Sequence, residues 1–461
     1  MIFDRHGTAL DGARVQIPYP TRTTPDGGAE IESAALIQVI FDCIDSVVAH
    51  AGPHSGRIAA VVMDTLVTNV MGVSADGMPV TPLYTWADRR GSEFVRWFRS
   101  ALDHAAYTER TGCRVHTSYL PVRLLWLAAS RGTSQLRPTA YWLSIGEYLL
   151  FKLFGIRRVS PSVASWTGLL NRHTNNWDDE TLQALPIWRQ QLSEISEAPL
   201  QGLSAAYAER WPALRDALWF PAVADGVASN IGAGCTTPDR VALSVGTSGA
   251  LRIVVPGRPP VPDGLFAYCI DESRSLVGGS LSNAGNLYAW LSRVLRVPSP
   301  LELMAAIDAL PPDSHGLTVL PFLAGERAPG WNADAQAVFM GMTLDTSPEQ
   351  LARAGLEAVA YRFHQIAKRL APLLPSQPIF VASGAPVLNA PPWMQIIADV
   401  LNAPVYASAE AEATIRGAVY LALGQEPSVQ LGRAYQPDPA RHLKYSAAAR
   451  RQESLYNRLL D

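Results

Sequence analysis

From Ser347 to Leu373, apolar residues recur at Ala352, Leu356, Val359, Phe363, Ile366, Leu370 and Leu373. Alternating steps of four and three put these side chains on one face of a long helix, and that face needs another layer to bury it. Ser347-Pro348-Glu349-Gln350 supplies the start of the helix: an N-cap serine, a proline in the first turn and a capping-box glutamine. β-type runs stand on both sides, Thr318–Pro321 before and Ile379–Ala382 after, and a further helix is predicted over Pro391–Leu401. Helices alternating with strands in this way predict an α/β protein whose helices cover its sheets.

The other parts of the chain follow the same logic. Met1–Asp4 and Ala13–Ile17 read as short strands, with Gly7 and Gly12 as breakers. A helix is predicted over Ile31–His50, a strand over Ile58–Met63, and helices over Phe94–Ala106, Leu120–Ala129 and Ile145–Leu153. Strands return at Val241–Val245 and Leu251–Val255. At 461 residues the chain exceeds the ~250–300 at which one core stops growing, so two domains are expected, divided near Gly232–Arg240. Hydrophobic residues, 48% of the total, suffice for two cores. A net charge of −3 without long runs of one sign gives no footprint for nucleic acid or an anionic membrane. Cys43, Cys113, Cys235 and Cys269 are too sparse and scattered for a disulfide scaffold or a C-x-x-C site, so reduced, buried thiols are expected. No apolar run reaches the ~18–20 residues of a membrane span and no signal peptide opens the chain, so a cytoplasmic protein is expected.

Gly246-Thr247-Ser248-Gly249 joins the strands Val241–Val245 and Leu251–Val255. A turn of small residues after a strand is either only a turn or a nest of backbone amides for phosphate. Two other phosphate grips are excluded. Lys152, Lys368 and Lys444 are the only lysines and none follows a glycine, so there is no P-loop. Gly232-Ala233-Gly234 leads into Thr-Thr-Pro and not into a helix, so there is no dinucleotide fingerprint. Upstream, Asp225 stands among small residues in Ala224-Asp225-Gly226-Val227-Ala228. It is either a carboxylate within reach of an attacking hydroxyl or a cap for the helix that follows. Trp86-Ala87-Asp88-Arg89 is either a polyol platform, with a ring for the CH face and charged partners for hydroxyls, or a surface turn with an ion pair.

Taken in order, these pieces resemble the FGGY family of carbohydrate kinases, its gluconate-kinase-like branch most closely. The stretches that carry the likeness are 75–90, 111–127, 164–171, 224–234, 241–251, 320–342, 382–405 and 411–424. The resemblance implies an α/β, two-domain actin-like (ribonuclease H-like) ATPase fold with an interdomain cleft. Residues 1–234 would form the sugar-binding domain, without its first strand, and residues 235–461 the nucleotide-binding domain. It makes Asp225 the general base and assigns Thr68, Asn69, Trp86, Asp88 and Arg89 to the sugar. Gly246, Thr247, Ser248, Gly285, Gly384, Ala385 and Asn389 go to the nucleotide, with glycines 246 and 249 expected at positive φ. ATP and Mg²⁺ are the implied cofactors and a small sugar or sugar acid the implied partner; a homodimer is compatible with it.

Three departures accompany the likeness. The family opens with a strand and an Asp-x-Gly-Thr phosphate loop, whereas Met1–Asp4 corresponds to its second strand and Asp4–Thr8 to a turn. Thr68-Asn69 stand where gluconate-kinase-like members carry His-Ser. Gly384-Ala385 replaces a Gly-Gly pair. The leading expectation is a kinase acting on gluconate, ahead of xylulose or another pentulose. The alternatives are a catalytically impaired sugar- or nucleotide-binding relative, motivated by the missing loop, and a chaperone-like ATPase. The short stretch after Ser428, which offers no peptide-binding extension, speaks against the last.

Overall fold

The computed structural model describes residues 1–52, 58–136, 138–295, 299–410, 412–427 and 430–460. Ser428, from which the final stretch was counted, and Ala411 lie outside them. The second half of the chain is built on a seven-stranded mixed sheet. Its strands lie in the order Phe266–Cys269, Arg274–Leu281, Gly249–Pro256, Arg240–Val245, Ile379–Ser383, Val405–Ser408 and Leu431–Tyr435. Arg240–Val245 sits in the centre, antiparallel to Gly249–Pro256 and parallel to Ile379–Ser383.

The predicted long helix spans Pro348–Leu370, with the Ser347/Gln350 capping box formed, and a short 3₁₀ turn carries Leu373. Its apolar face meets the sheet where the strands have glycine. A Cβ on Gly249 would stand 2.7 Å from Phe363, and one on Gly279 would stand 2.9 Å from Ile366. Helix Pro391–Leu401 matches its expected bounds.

The first half differs more from expectation. Helix Ser33–His50 and helix Ile145–Phe154 form where the pattern put them, and the helix predicted from Leu120 runs on to Leu136. The segment expected as one helix over 94–106 is two, Glu93–Ser100 and His104–Thr111. Asp103 starts the second, its carboxylate accepting from the amides of Ala105 and Ala106. Met1–Asp4 and Ala13–Ile17 are not strands. Only a bridge from Phe3 to Ala9 forms, about a turn in which the Asp4 carboxylate accepts from the His6 and Thr8 amides. The strands here are two or three residues long. Two parallel pairs, Ala60–Val61 with Leu218–Trp219 and Asp64–Thr65 with Val223–Ala224, join segments distant in sequence.

Helix Ser33–His50 is, among the described residues, long and apolar enough to cross a membrane, against the expectation that no such run exists. It packs Leu36, Ile37 and Phe41 into the apolar core of the first half, and Asp45 binds Arg210 and the Trp211 indole. The four cysteines are free, and three of them are buried. Helices Asp225–Gly232 and Ala413–Leu423 cross at glycines: a Cβ on Gly232 would lie 1.7 Å from the Ala413 carbonyl, and one on Gly417 would lie 1.8 Å from that of Ala228.

Candidate active site

Strand Val223–Ala224 delivers the chain directly into helix Asp225–Gly232, and Asp225 is its first residue. Asp225 does not cap this helix; among the described residues its carboxylate accepts only from the adjacent Gly226 amide, at 2.7 Å. Burial pushes its pKa up to about 6, with the Arg252 guanidinium and the Gly226 amide pulling the other way and Asp64 adding to the rise. Such a carboxylate sits near the pH at which a general base is effective.

Across from it lies the Gly246–Gly249 tip. The Gly246 amide donates to the Ser248 carbonyl at 2.9 Å. The start of helix Gly285–Val294 holds the tip from behind: the Gly285 amide donates to the Gly246 carbonyl and the Asn286 amide to the Thr247 carbonyl, each at 3.0 Å. Neither Gly246 nor Gly249 takes a positive φ, contrary to expectation. Gly249 is small because Phe363 and Ala284 press on it, and a Cβ on Gly246 would meet nothing nearer than 3.9 Å, which leaves room beside the backbone. The left-handed residue is Gly384, with φ +100° and a would-be Cβ 2.0 Å from the Val245 carbonyl.

One cavity of about 440 Å³ brings together Thr68, Trp86, Asp225, Gly246, Ser248 and Gly384. The remaining expected residues lie off its wall. Asp88 is buried and saturated: its carboxylate takes the Ala29 amide and the guanidinium of Arg90, the residue after the expected Arg89. Arg89 is exposed and donates to the Ala333 carbonyl. Asn69 spends both ends of its amide on the fold, on the Leu66 carbonyl and the Ile145 amide. Gly285 supports the tip from behind the cavity wall, and Thr247, Ala385 and Asn389 are exposed outside the lining. Thr68 is held at φ +53°, a costly conformation for a β-branched residue, with its carbonyl gripped by buried Arg123 at 2.6 Å.

Sequence reasoning missed Arg252, Arg327, Tyr119, Tyr268 and Trp331, all of which line the cavity. Four lining side chains carry a buried polar atom with no hydrogen-bond partner among the described residues: Thr68 Oγ1, Trp166 Nε1, Arg252 Nε and Arg327 Nε. Buried polar atoms are normally satisfied, so these four make the wall unusually polar beneath its surface. One signal was present in the sequence: Arg252 interrupts the apolar run Leu251-Arg252-Ile253, on what proves to be an interior strand.

Residues 1–208 match the FGGY family of carbohydrate kinases, N-terminal domain, and residues 241–425 match its C-terminal domain. The gluconokinase of Bacillus subtilis (strain 168) is 25% identical over 437 residues, covering 92% of this chain and 84% of the relative. The glycerol kinase of Gloeobacter violaceus is 29% identical over 443 residues, with the same coverages. The gluconate kinase structure from Lactobacillus acidophilus superposes with a TM-score of 0.90 at 27% identity, covering 99% of this chain and 94% of that one. A ligand-bound xylulose kinase from the same organism also gives 0.90 at 27% identity, with 99% and 95% coverage. The chain has the two-domain α/β fold of the sugar kinases, and it belongs to the FGGY family of carbohydrate kinases.

Proposed function

We propose that this enzyme phosphorylates a hydroxyl of a sugar acid with ATP, gluconate being the first substrate to test, and that Asp225 is its general base. The observation that carries the reading is the placement of a carboxylate with a pKa near 6 in one cavity with a small-residue hairpin tip and a tryptophan platform. The Trp86 ring would take the CH face of the polyol, and Thr68 Oγ1 would bond a hydroxyl. The tip, with Gly384 beside it, would cradle phosphates, and Ala385 and Asn389 would flank the adenosine. Asp225 would draw the proton from the attacking hydroxyl as its oxygen meets the γ-phosphorus. Magnesium, which accompanies ATP and takes oxygen ligands, would neutralise phosphate charge. Ser244, Ser248, Ser383 and the carboxylate of Asp225 are among the oxygen donors of the wall that suit it, whereas Glu410 is paired with Arg416. We place the division between a sugar-binding part, residues 1–234, and a nucleotide-binding part, residues 235–461.

The test is ADP release measured over gluconate, xylulose, ribulose and glycerol. Gluconate should give the highest kcat/KM. Asp225→Asn should lower kcat about 10²–10⁴-fold with sugar binding retained, and Trp86→Ala should raise the sugar KM roughly tenfold. Turnover surviving in Asp225→Asn would refute the base. No ADP release with any polyol would favour a binding protein over an enzyme.

A further inference from the structure

Arg327 carries a charge on the cavity wall that nothing in the described chain offsets. One arm of its guanidinium donates to the Leu281 carbonyl at 2.9 Å, and its Cζ lies 5.0 Å from the centre of the Trp86 ring. Its Nε has no partner among the described residues. The neighbouring carboxylate is committed elsewhere: Glu326 takes the Arg362 guanidinium, the Tyr456 hydroxyl at 2.8 Å and the Gly330 amide at 3.2 Å. Asp225 is opposed by the other cavity arginine, Arg252. What faces Arg327 is the pair of hydroxyls of Tyr119 and Tyr268, neutral and bonded to each other. Charges this deep in folded proteins are paired, so the partner of Arg327 arrives with the ligand.

An anion in this cavity has two sources, the acceptor polyol and the nucleotide phosphates. Arg327 bonds Leu281 and lies over Trp86, with Tyr119, Tyr268 and the like-charged Arg252 within its electrostatic reach; among the described residues it makes no hydrogen bond to the 246–248 tip or to Gly384. We propose that Arg327 is the specificity-determining residue that receives a carboxylate at the end of the polyol remote from the phosphorylated hydroxyl, making this enzyme selective for aldonic acids over neutral sugars. The second arm, Nη1, makes no hydrogen bond among the described residues, and Nη2 keeps one hydrogen beside the one given to Leu281, so the two arms remain to donate to the two carboxylate oxygens. The proposal rests on the kinase reading above.

Gluconate and its neutral amide, gluconamide, share length and hydroxyls and differ in charge at one end. Wild-type enzyme should prefer gluconate by about 10²-fold in kcat/KM, the scale of a lost charge-assisted pair. Arg327→Met should erase that preference by lowering gluconate turnover, leaving gluconamide within a few-fold and the KM for ATP unchanged. Arg327→Lys, which keeps the charge and loses the fork, should recover part of it. Calorimetric titration of gluconate without ATP should show the same order, and circular dichroism checks that the variants are folded. Equal loss on both substrates, a change confined to the KM for ATP, or gluconate turnover indifferent to Arg327→Met would overturn the proposal and leave the kinase reading intact. Wild-type enzyme that phosphorylates neutral sugars but not gluconate would do the same. Wild-type enzyme that phosphorylates nothing would end both.

Discussion

At Asp225, burial outweighs attraction. Arg252 and the Gly226 amide favour the ionised carboxylate, yet its pKa still rises to about 6. A base must be ionised to act, so kcat/KM should fall tenfold per pH unit below about 6 and level off above it, read from a pH–rate profile. The same shift has a cost in stability. The folded form holds this proton to higher pH than the unfolded chain, so stability falls as pH rises from about 4 to about 6 and stays lower above. Asp225→Asn should therefore raise stability at pH 8 by about 3 kcal/mol, seen as a higher Tm, and change it little at pH 4. The place of Asp225 in the cavity wall was legible because small residues surround a lone acid, with a strand and a Gly-x-x-Gly tip following further along the chain. Asp88 was misassigned because Arg90, two residues on, closes a local pair that spacing alone does not distinguish from a ligand site. Arg327 was missed because its significance lies in where its neighbour Glu326 points, which depends on Arg362 from a distant helix.

Among the elements, those whose signals are local were visible beforehand. The long helix announces itself through its cap, its proline and its stripe, and the central strands through apolar runs beside turn residues. Ser347→Ala should cost about 1 kcal/mol of stability with kcat and KM unchanged, as urea unfolding and steady-state kinetics would show. Gly384→Ala should behave differently. Its Cβ would collide with the Val245 carbonyl at a left-handed φ, so the hairpin wall must shift, and the KM for ATP should rise several-fold or more along with the loss of stability. The next position tolerates its departure from Gly-Gly: Ala385 opens a short helix and is exposed, so its methyl group displaces nothing. The first-half strands were not legible. Pairs such as Asp64–Thr65 with Val223–Ala224 are two residues long and join remote segments, too short for periodicity to register.

For the molecule as a whole, residues 1–234 and 235–461 meet partly through side chains, such as Tyr119 with Tyr268 and Trp166 stacked on Tyr268, and at one place by backbone on backbone. Helices Asp225–Gly232 and Ala413–Leu423 meet at Gly232 and Gly417, where no side chain fits. Gly417→Ala should force them apart, lowering Tm by several degrees through overpacking. It should reduce kcat at least tenfold, more than it alters either KM; kinetics and thermal unfolding check both, and an unchanged kcat would contradict the coupling of crossing to site. Asp225 heads the same helix that ends in Gly232, roughly 10 Å away at the helical rise. That helix is a lever with its fulcrum at one end and the carboxylate proposed as proton acceptor at the other. A few degrees of twist at the fulcrum become a sizeable fraction of an ångström at the acid, enough to make or break its reach to the reacting oxygen.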